Sequence, residues 1–536
     1  MTTPSAPPTP PAPIEELHGE GRSRPWALLS GPASFALVLM VEPGGLDGAA
    51  LRTLAVTLWV ACWWVTEALP IAATSLLPLV LLPALNVLPA ADVARLYVQD
   101  LLILLLGGFL LALALERWGL HRRLAIFVLA RLGGAPRRLV LGFALAAALV
   151  SMWISNSGTT LVLLPIALAV SRRLDPLLAP EAHRRFDRSI LLAVAYGATA
   201  GGLGTYVGTP PNLVFRQRYE EDFGAGLAGG PPAISFLQWM VAFAPLALLL
   251  ALLFGLVLAR GLPRVDGRAT RAAVRAEAAA LPRWSPGEML VAAGFALAAL
   301  LWITREPFEL GGHSPSGAGH HALFGWSLWQ WPKGWISDGT VAMAITIACF
   351  VVRAKPLPGM RVAPGATTVP LLEWSEAESK LPWGVLLLFG GGFALGDAFQ
   401  SSGLSKALGE GLAHALRGLP PWAIVLGISL FVIAVSEFMN NTACAQVLLP
   451  ILSGMSRSLG FAPAALLLPA ALAASCGFMM PAGTAPNAIV FATRRIRIGE
   501  MVRVGALLDV ASALLVTAWI VFVALPLLGV PLAPDR

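Results

Sequence analysis

A chain of 536 residues that is 57% hydrophobic and 12% charged cannot give three or four soluble domains a polar surface; soluble domains carry about 25% charged residues. A net charge of +7 would suit nucleic acid in a soluble protein, but here the basic residues lie between apolar segments, where loop charge explains them and no nucleic-acid partner is implied. The chain reads as an all-α polytopic membrane protein with the lipid bilayer as its surroundings, since the strand-type alternation of a membrane barrel is absent.

Residues 1–27 are Pro-rich and polar and predict a disordered tail, with no cleavable signal. Apolar spans are expected at 28–42, 53–69, 71–89, 100–116, 189–207, 236–258, 288–304, 336–353, 383–399, 463–480 and 501–529. That makes about 11 transmembrane helices. Residues 117–138 and 400–418 predict interfacial amphipathic arms, and 259–287 a solvated loop or helix. The loop 305–335 is rich in Trp, as at a membrane interface; its His313, His320 and His321 lack ligand spacing for a metal. The four cysteines, Cys62, Cys349, Cys444 and Cys476, suggest neither a disulfide nor a metal site.

Two further apolar regions, 139–171 and 421–456, are each interrupted midway by a small polar cluster. As single helices they would overshoot a ~30 Å hydrocarbon core, so two half-helices meeting at a polar tip, a re-entrant hairpin, are predicted for each. With the N-terminus inside, 27 of the 37 Lys and Arg fall on the cytoplasmic side. The first hairpin then enters from the cytoplasm, the second from outside, and the C-terminus lies outside.

The halves also repeat. LLLGGFLLALALERWGL, MWISNSGTTLVLLPIAL and LGTYVGTPPNLVF precede LLLFGGGFALGDAFQSSGL, SEFMNNTACAQVLLPIL and MMPAGTAPNAIVF in the same order. Phe109 to Asn156 spans 47 residues and Phe393 to Asn441 spans 48; each Asn is followed by a Pro nine residues on. Opposite orientations make this an inverted repeat, which points to an alternating-access transporter with a midplane site.

Each tip ends one half-helix and starts another. Free N–H groups at the new start suit an anion; free carbonyls at the old end, with Asn and Ser oxygens, suit Na⁺ as coupling ion. The tips are Ser155-Asn156-Ser157 and Asn440-Asn441-Thr442. The turns at Thr209-Pro210 and Thr484-Ala485 repeat this arrangement, with prolines forcing a break. No Lys or Arg occurs in 139–171, 189–215, 418–456 or 458–493, so an anion there relies on dipoles, amides, hydroxyls and co-bound cations. Glu437 is expected either to cap the half-helix that follows it, the favoured reading, or to tune the cation site, and Glu67, near a span end, is read as structural. No P-loop and no catalytic constellation exist; ATP-driven transport and an enzyme are excluded, and no organic cofactor is expected.

Over residues 50–530 these motifs (TEALP near the start, the paired tips each followed by Pro, the paired T-P-P-N-like turns) resemble the divalent anion–sodium symporter family, carriers of dicarboxylates, citrate and sulfate. The resemblance implies a homodimer and an elevator-type mechanism. Scaffold is then expected at 28–116 and 288–399, and transport domain at 139–258 (hairpin 139–171, broken helix 189–215) and 419–536 (hairpin 421–456, broken helix 463–492). Ser155, Asn156, Ser157, Asn440, Asn441 and Thr442 would face the substrate. One sodium site would use Ser151, Ser155, Asn156 and Gly202, the other Ser436, Asn441, Ser475 and Cys476. Ser157 stands where Thr is usual and Asn440 where Ser is usual; both border the anion and bear on its identity. The expected function is sodium-coupled symport of a small divalent anion, a C4-dicarboxylate foremost, at the cell (inner) membrane. Sulfate or citrate symport, sodium-independent exchange and an anion channel are the alternatives.

Overall fold

A computed structural model describes residues 25–532 apart from 44–45, 47, 133–134, 224–232, 263–270, five positions within 273–280, 307–324, 327–330, 332–334, 361, 363, 417 and 482. Residues 1–24 and the three loop histidines lie outside the described residues, as do 13 of the 29 positions of 259–287. Among the described residues, six helices are long and apolar enough to cross a membrane, and four shorter apolar helices accompany them.

The chain enters through α1 (Pro25–Val41) and α2 (Gly48–Thr66). Glu67 follows α2 in a left-handed conformation, φ 48°, with its side chain exposed, so it ends a helix. The expected single span at 71–89 is two pieces, α3 (Ile71–Thr74) and α4 (Leu77–Ala84). Pro78 lacks the N–H that would continue α3. The freed polar groups at Ser75 are taken by Trp64 Nε1, donating to its Oγ (3.2 Å), and Tyr97 OH, donating to its carbonyl (2.5 Å). Short α5 (Ala90–Leu96) leads to α6 (Asp100–Arg117).

From α6 onward the two halves run in step. The first has α6, α7 (Leu120–Leu132), α8 (Pro136–Ser151), α9 (Asn156–Leu174), α10 (Pro180–Gly202), α11 (Pro210–Phe223) and α12 (Phe236–Leu258). After α13 (Pro286–Arg305), α14 (Asp338–Val351), a two-residue strand pair and α15 (Trp374–Lys380), the second has α16 (Trp383–Ser401), α17 (Leu404–Leu416), α18 (Pro421–Ser436), α19 (Asn441–Leu459), α20 (Pro463–Ala473), α21 (Ala485–Ala492) and α22 (Ile498–Trp519). α8 and α18 each have 16 residues, α9 and α19 each 19, with four-residue tips between them. α17 and α18 are bent by 119°. The expected span at 463–480 stops at Ala473, and 501–529 is α22 continued by a π-turn at Ile520–Ala524.

The centre is built on α10 and α20. Every residue of α10 from Ser189 to Gly202 is buried, as is every residue of α20 from Ala464 to Ala473. A helix apolar all round needs neighbours on every side. α10 has them in α8, α9, α12 and α21, and α20 in α11, α18, α19 and α22. Glycines permit the closest approach: a Cβ on Gly197 or Gly201 would lie 2.4 or 2.2 Å from the carbonyl oxygens of Ala144 and Ala148 on α8. Both central helices then stop short, leaving non-helical chain inside the protein.

Candidate transport site: two broken-helix cradles

Non-helical backbone at membrane depth is tolerated only where protein or a cavity satisfies it. The two breaks, 203–209 and 474–484, are satisfied in the same way. Asn212 Nδ2 donates to the carbonyls of Gly202 (3.0 Å) and Thr205 (2.7 Å), and Asn487 Nδ2 donates to those of Gly477 (3.2 Å) and Met480 (3.1 Å). In both, the partners lie ten and seven residues before the Asn. The final Asn of GTPPN and of GTAPN is thus a strut that holds its break open. Both struts are fully buried, and each Oδ1 is without a partner. Such orphaned acceptors are costly unless something electropositive approaches.

At the first tip, Ser151 Oγ donates to Asn156 Oδ1 (2.7 Å), and Ser155, the N-cap of α9, accepts from Gly158 N (3.2 Å). Asn156 Oδ1 faces Gly202 so closely that a Cβ there would lie 2.6 Å from it, with the Gly208 carbonyl 3.1 Å away. A Cβ on Gly208 would meet the Gly202 carbonyl at 2.5 Å. The cradle is therefore lined by carbonyl, amide and hydroxyl oxygens and is shaped by glycine. That donor set fits a hard monovalent cation, which asks for oxygen ligands. Ser157 and Pro210 are half-buried, and Thr209 is buried.

At the second tip, Asn441, with its amide nitrogen turned toward the carbonyls, donates to Ala474 (3.2 Å) and Gly483 (2.9 Å). Asn440 Oδ1 caps α19 through Thr442 N (3.0 Å), and Thr484 Oγ1 caps α21 through Asn487 N (3.4 Å). Ser436 Oγ and Cys476 Sγ bond back to their own helical carbonyls, Ile433 (2.9 Å) and Leu472 (3.3 Å). Thr442 and Ser475 are buried; Asn440 and Ala485 are exposed. The two cradles adjoin: Thr209 Oγ1 lies 3.5 Å from Ser475 Oγ, and Tyr196 OH of α10 donates to the Phe478 carbonyl of the second break (2.9 Å).

Glu437 does not cap α19, a role Asn440 fills. Its carboxylate turns the other way and accepts from Met479 N (2.8 Å) and Met480 N (2.7 Å), while Asp509 of α22 accepts from Phe478 N (3.0 Å). Three successive amides of the second break are thus held by two buried acids. Asp509 escaped the sequence reading, although an acid within the apolar stretch 501–529 is the signal that had drawn attention to Glu67. Also unforeseen is a buried ion triad. Asp338 at the start of α14 accepts from Arg216 of α11 and Arg305 of α13, both at 2.6 Å, and Arg216 stacks over Tyr206 with 5.0 Å to the ring centre.

Twin broken helices entered by twin half-helix tips are the architecture of a polytopic membrane carrier. The citrate transporter family matches residues 61–461 and 417–533. The chain belongs to this citrate transporter and divalent anion–sodium symporter family, the one its motifs resemble. It is 37% identical over 511 residues, covering 94% of this chain and 92% of the relative, to the sodium-dependent dicarboxylate transporter SdcS of Staphylococcus saprophyticus. The SdcS of Staphylococcus aureus RF122 is likewise 37% identical over 94% of this chain and 92% of its own. Among solved structures, the Alcanivorax borkumensis YdaH transporter shares the fold with a TM-score of 0.51 at 17% identity, covering 82% of this chain and 86% of that one. Neisseria gonorrhoeae MtrF does so with a TM-score of 0.51 at 17% identity, over 81% and 84%.

Proposed function

We propose that the protein is a secondary active transporter that carries a small dianion, a C4-dicarboxylate, together with Na⁺ across the cell membrane. The observation that carries this reading is the pair of oxygen-lined cradles, each with a buried, unpartnered Asn oxygen and no cationic side chain in its tip and break. An anion between the tips then needs bound cations for neutralisation, and that shared need is the coupling: each ion binds weakly without the other. Ser155, Asn156 and Ser157 with Asn440, Asn441 and Thr442 present the start of a half-helix to the carboxylates, and Thr209, Pro210, Thr484 and Ala485 continue that surface. Sodium binds beside the first tip with Ser151, Ser155, Asn156 and Gly202, and beside the second with Ser436, Asn441, Ser475 and Cys476. The naming of relatives as sodium-dependent dicarboxylate transporters supports both the ion and the cargo.

In the same reading the chain makes about 11 crossings with the N-terminus in the cytoplasm and the C-terminus outside. The hairpins enter from opposite faces, and residues 139–258 and 419–536 move as an elevator against 28–116 and 288–399 within a homodimer. The Arg216–Asp338 pair then joins the moving part to the fixed part.

Counterflow tests the carrier reading. Proteoliposomes preloaded with unlabelled succinate should take up labelled succinate several-fold faster than empty ones, with sulfate and citrate competing less well than succinate. Uptake indifferent to internal succinate would indicate a channel, and stronger competition by sulfate or citrate would reassign the cargo.

A further inference from the structure

α12 has 23 residues, about 34 Å at 1.5 Å per residue, enough to cross a ~30 Å core. Arg260, two residues past its end, therefore sits where acyl chains give way to headgroups, whichever face that is. Here α12 packs on the start of α8. Gly255 allows the close approach, since a Cβ on it would lie 2.7 Å from Leu141. Just beyond that contact a cavity of about 390 Å³ opens, with Arg137 and Arg138 of α8 on one side, Arg260 on the other, and Leu141 and Leu256 between.

Three features of this cavity belong together. The three arginines are exposed, and among the described residues none of them is ion-paired. Arg137 is held in place, its Nε donating to the Leu262 carbonyl (3.1 Å), which leaves its terminal nitrogens for another acceptor. Leu256, half-exposed at 51%, gives the same cavity an apolar flank open to lipid. Arg123, Arg188 and Arg495, by contrast, are paired with Glu288, Glu500 and Asp187. Unpaired guanidinium groups converging on one hollow carry a repulsion that a shared anion relieves, and their planar forks suit phosphate oxygens.

We propose that this cleft between α8 and α12 is a binding site for an anionic phospholipid. Its phosphate lies between Arg137, Arg138 and Arg260, and one acyl chain runs along Leu141 and Leu256. Basic pockets at the ends of membrane helices recognise such headgroups in this way. A zwitterionic lipid is disfavoured because its ammonium group would enter the same positive field. A soluble anion would gain the charge contacts but leave the leucine flank unused. The site lies at the base of α8, the half-helix that ends at Ser151, so the bound lipid braces the first hairpin from the membrane surface.

Native mass spectrometry of the purified, delipidated full-length protein tests this with dioleoyl phosphatidylglycerol and dioleoyl phosphatidylcholine as probes. The wild type should bind the glycerol lipid about 10-fold more tightly than the choline lipid. The triple variant Arg137→Gln, Arg138→Gln, Arg260→Gln should bind both equally, while the triple Lys variant keeps the preference. The single variant Arg260→Gln, altered beyond the helix end, should weaken the preference severalfold even if the triple variant does not fold. Excess inorganic phosphate or succinate should leave phosphatidylglycerol bound. Equal binding of the two lipids by the wild type, or a preference unchanged in the Gln variants, would overturn the proposal. Displacement by phosphate or succinate would overturn it in favour of a soluble-anion site.

Discussion

Asn156→Ala and Asn441→Ala are each expected to abolish sodium-driven uptake while leaving the purified protein monodisperse and folded. Asn156 sits where two half-helices meet, accepts from Ser151, and faces Gly202 at a distance only glycine allows. Asn441 bridges the second tip to the carbonyls of Ala474 and Gly483. Hydrogen bonds to charged partners contribute about 1.5–3 kcal/mol each, so losing an amide that serves ion and anion together should cost about 10- to 150-fold or more in transport. Both side chains are only half-buried, which limits the damage to folding. Uptake is measured on reconstituted protein and folding by thermal unfolding. Near-normal uptake in both variants would mean that the tips are not the site.

The largest effect on stability is expected at Asp338→Ala. Asp338 is 1% exposed and pairs with two guanidinium groups. Removing it takes from Arg216 and Arg305 their most deeply buried carboxylate partner, and breaking a buried pair in this way costs about 3–5 kcal/mol. The purified variant should unfold at a clearly lower temperature than the wild type, with low expression yield. An unchanged unfolding temperature would mean that solvent reaches these arginines once the acid is gone. Glu306 is a weaker partner for Arg305 than Asp338, being more exposed, and Glu220 stands in the same relation to Arg216, so neither should rescue the variant.

The repeat was legible because it is written in residues with few uses. A polar cluster such as SNS or NNT inside an apolar stretch has to be a tip, and Pro after Gly-Thr has to be a break. Hence the helix interruptions at both tips and both turns could be placed from sequence, and the equal lengths of α8 and α18 follow from the equal spacing of their motifs. What escaped were contacts between distant segments. Nothing in the local pattern couples Arg216 to Asp338, 122 residues later. Glu437 was expected to act locally, as acids before helices usually do, but Asn440 competes for the cap and frees the carboxylate for the amides of Met479 and Met480. The split at Ser75 was hidden because Pro78 can equally start a helix or bend one.

Coupling is the central claim, and one measurement addresses it most directly. Proteoliposomes containing the wild-type protein are given labelled succinate with an inward Na⁺ gradient, or with choline replacing Na⁺ at the same ionic strength. Paired oxygen cradles without a cationic side chain predict accumulation of succinate above equilibrium with Na⁺ and negligible uptake with choline. Equal uptake in the two conditions would contradict sodium coupling.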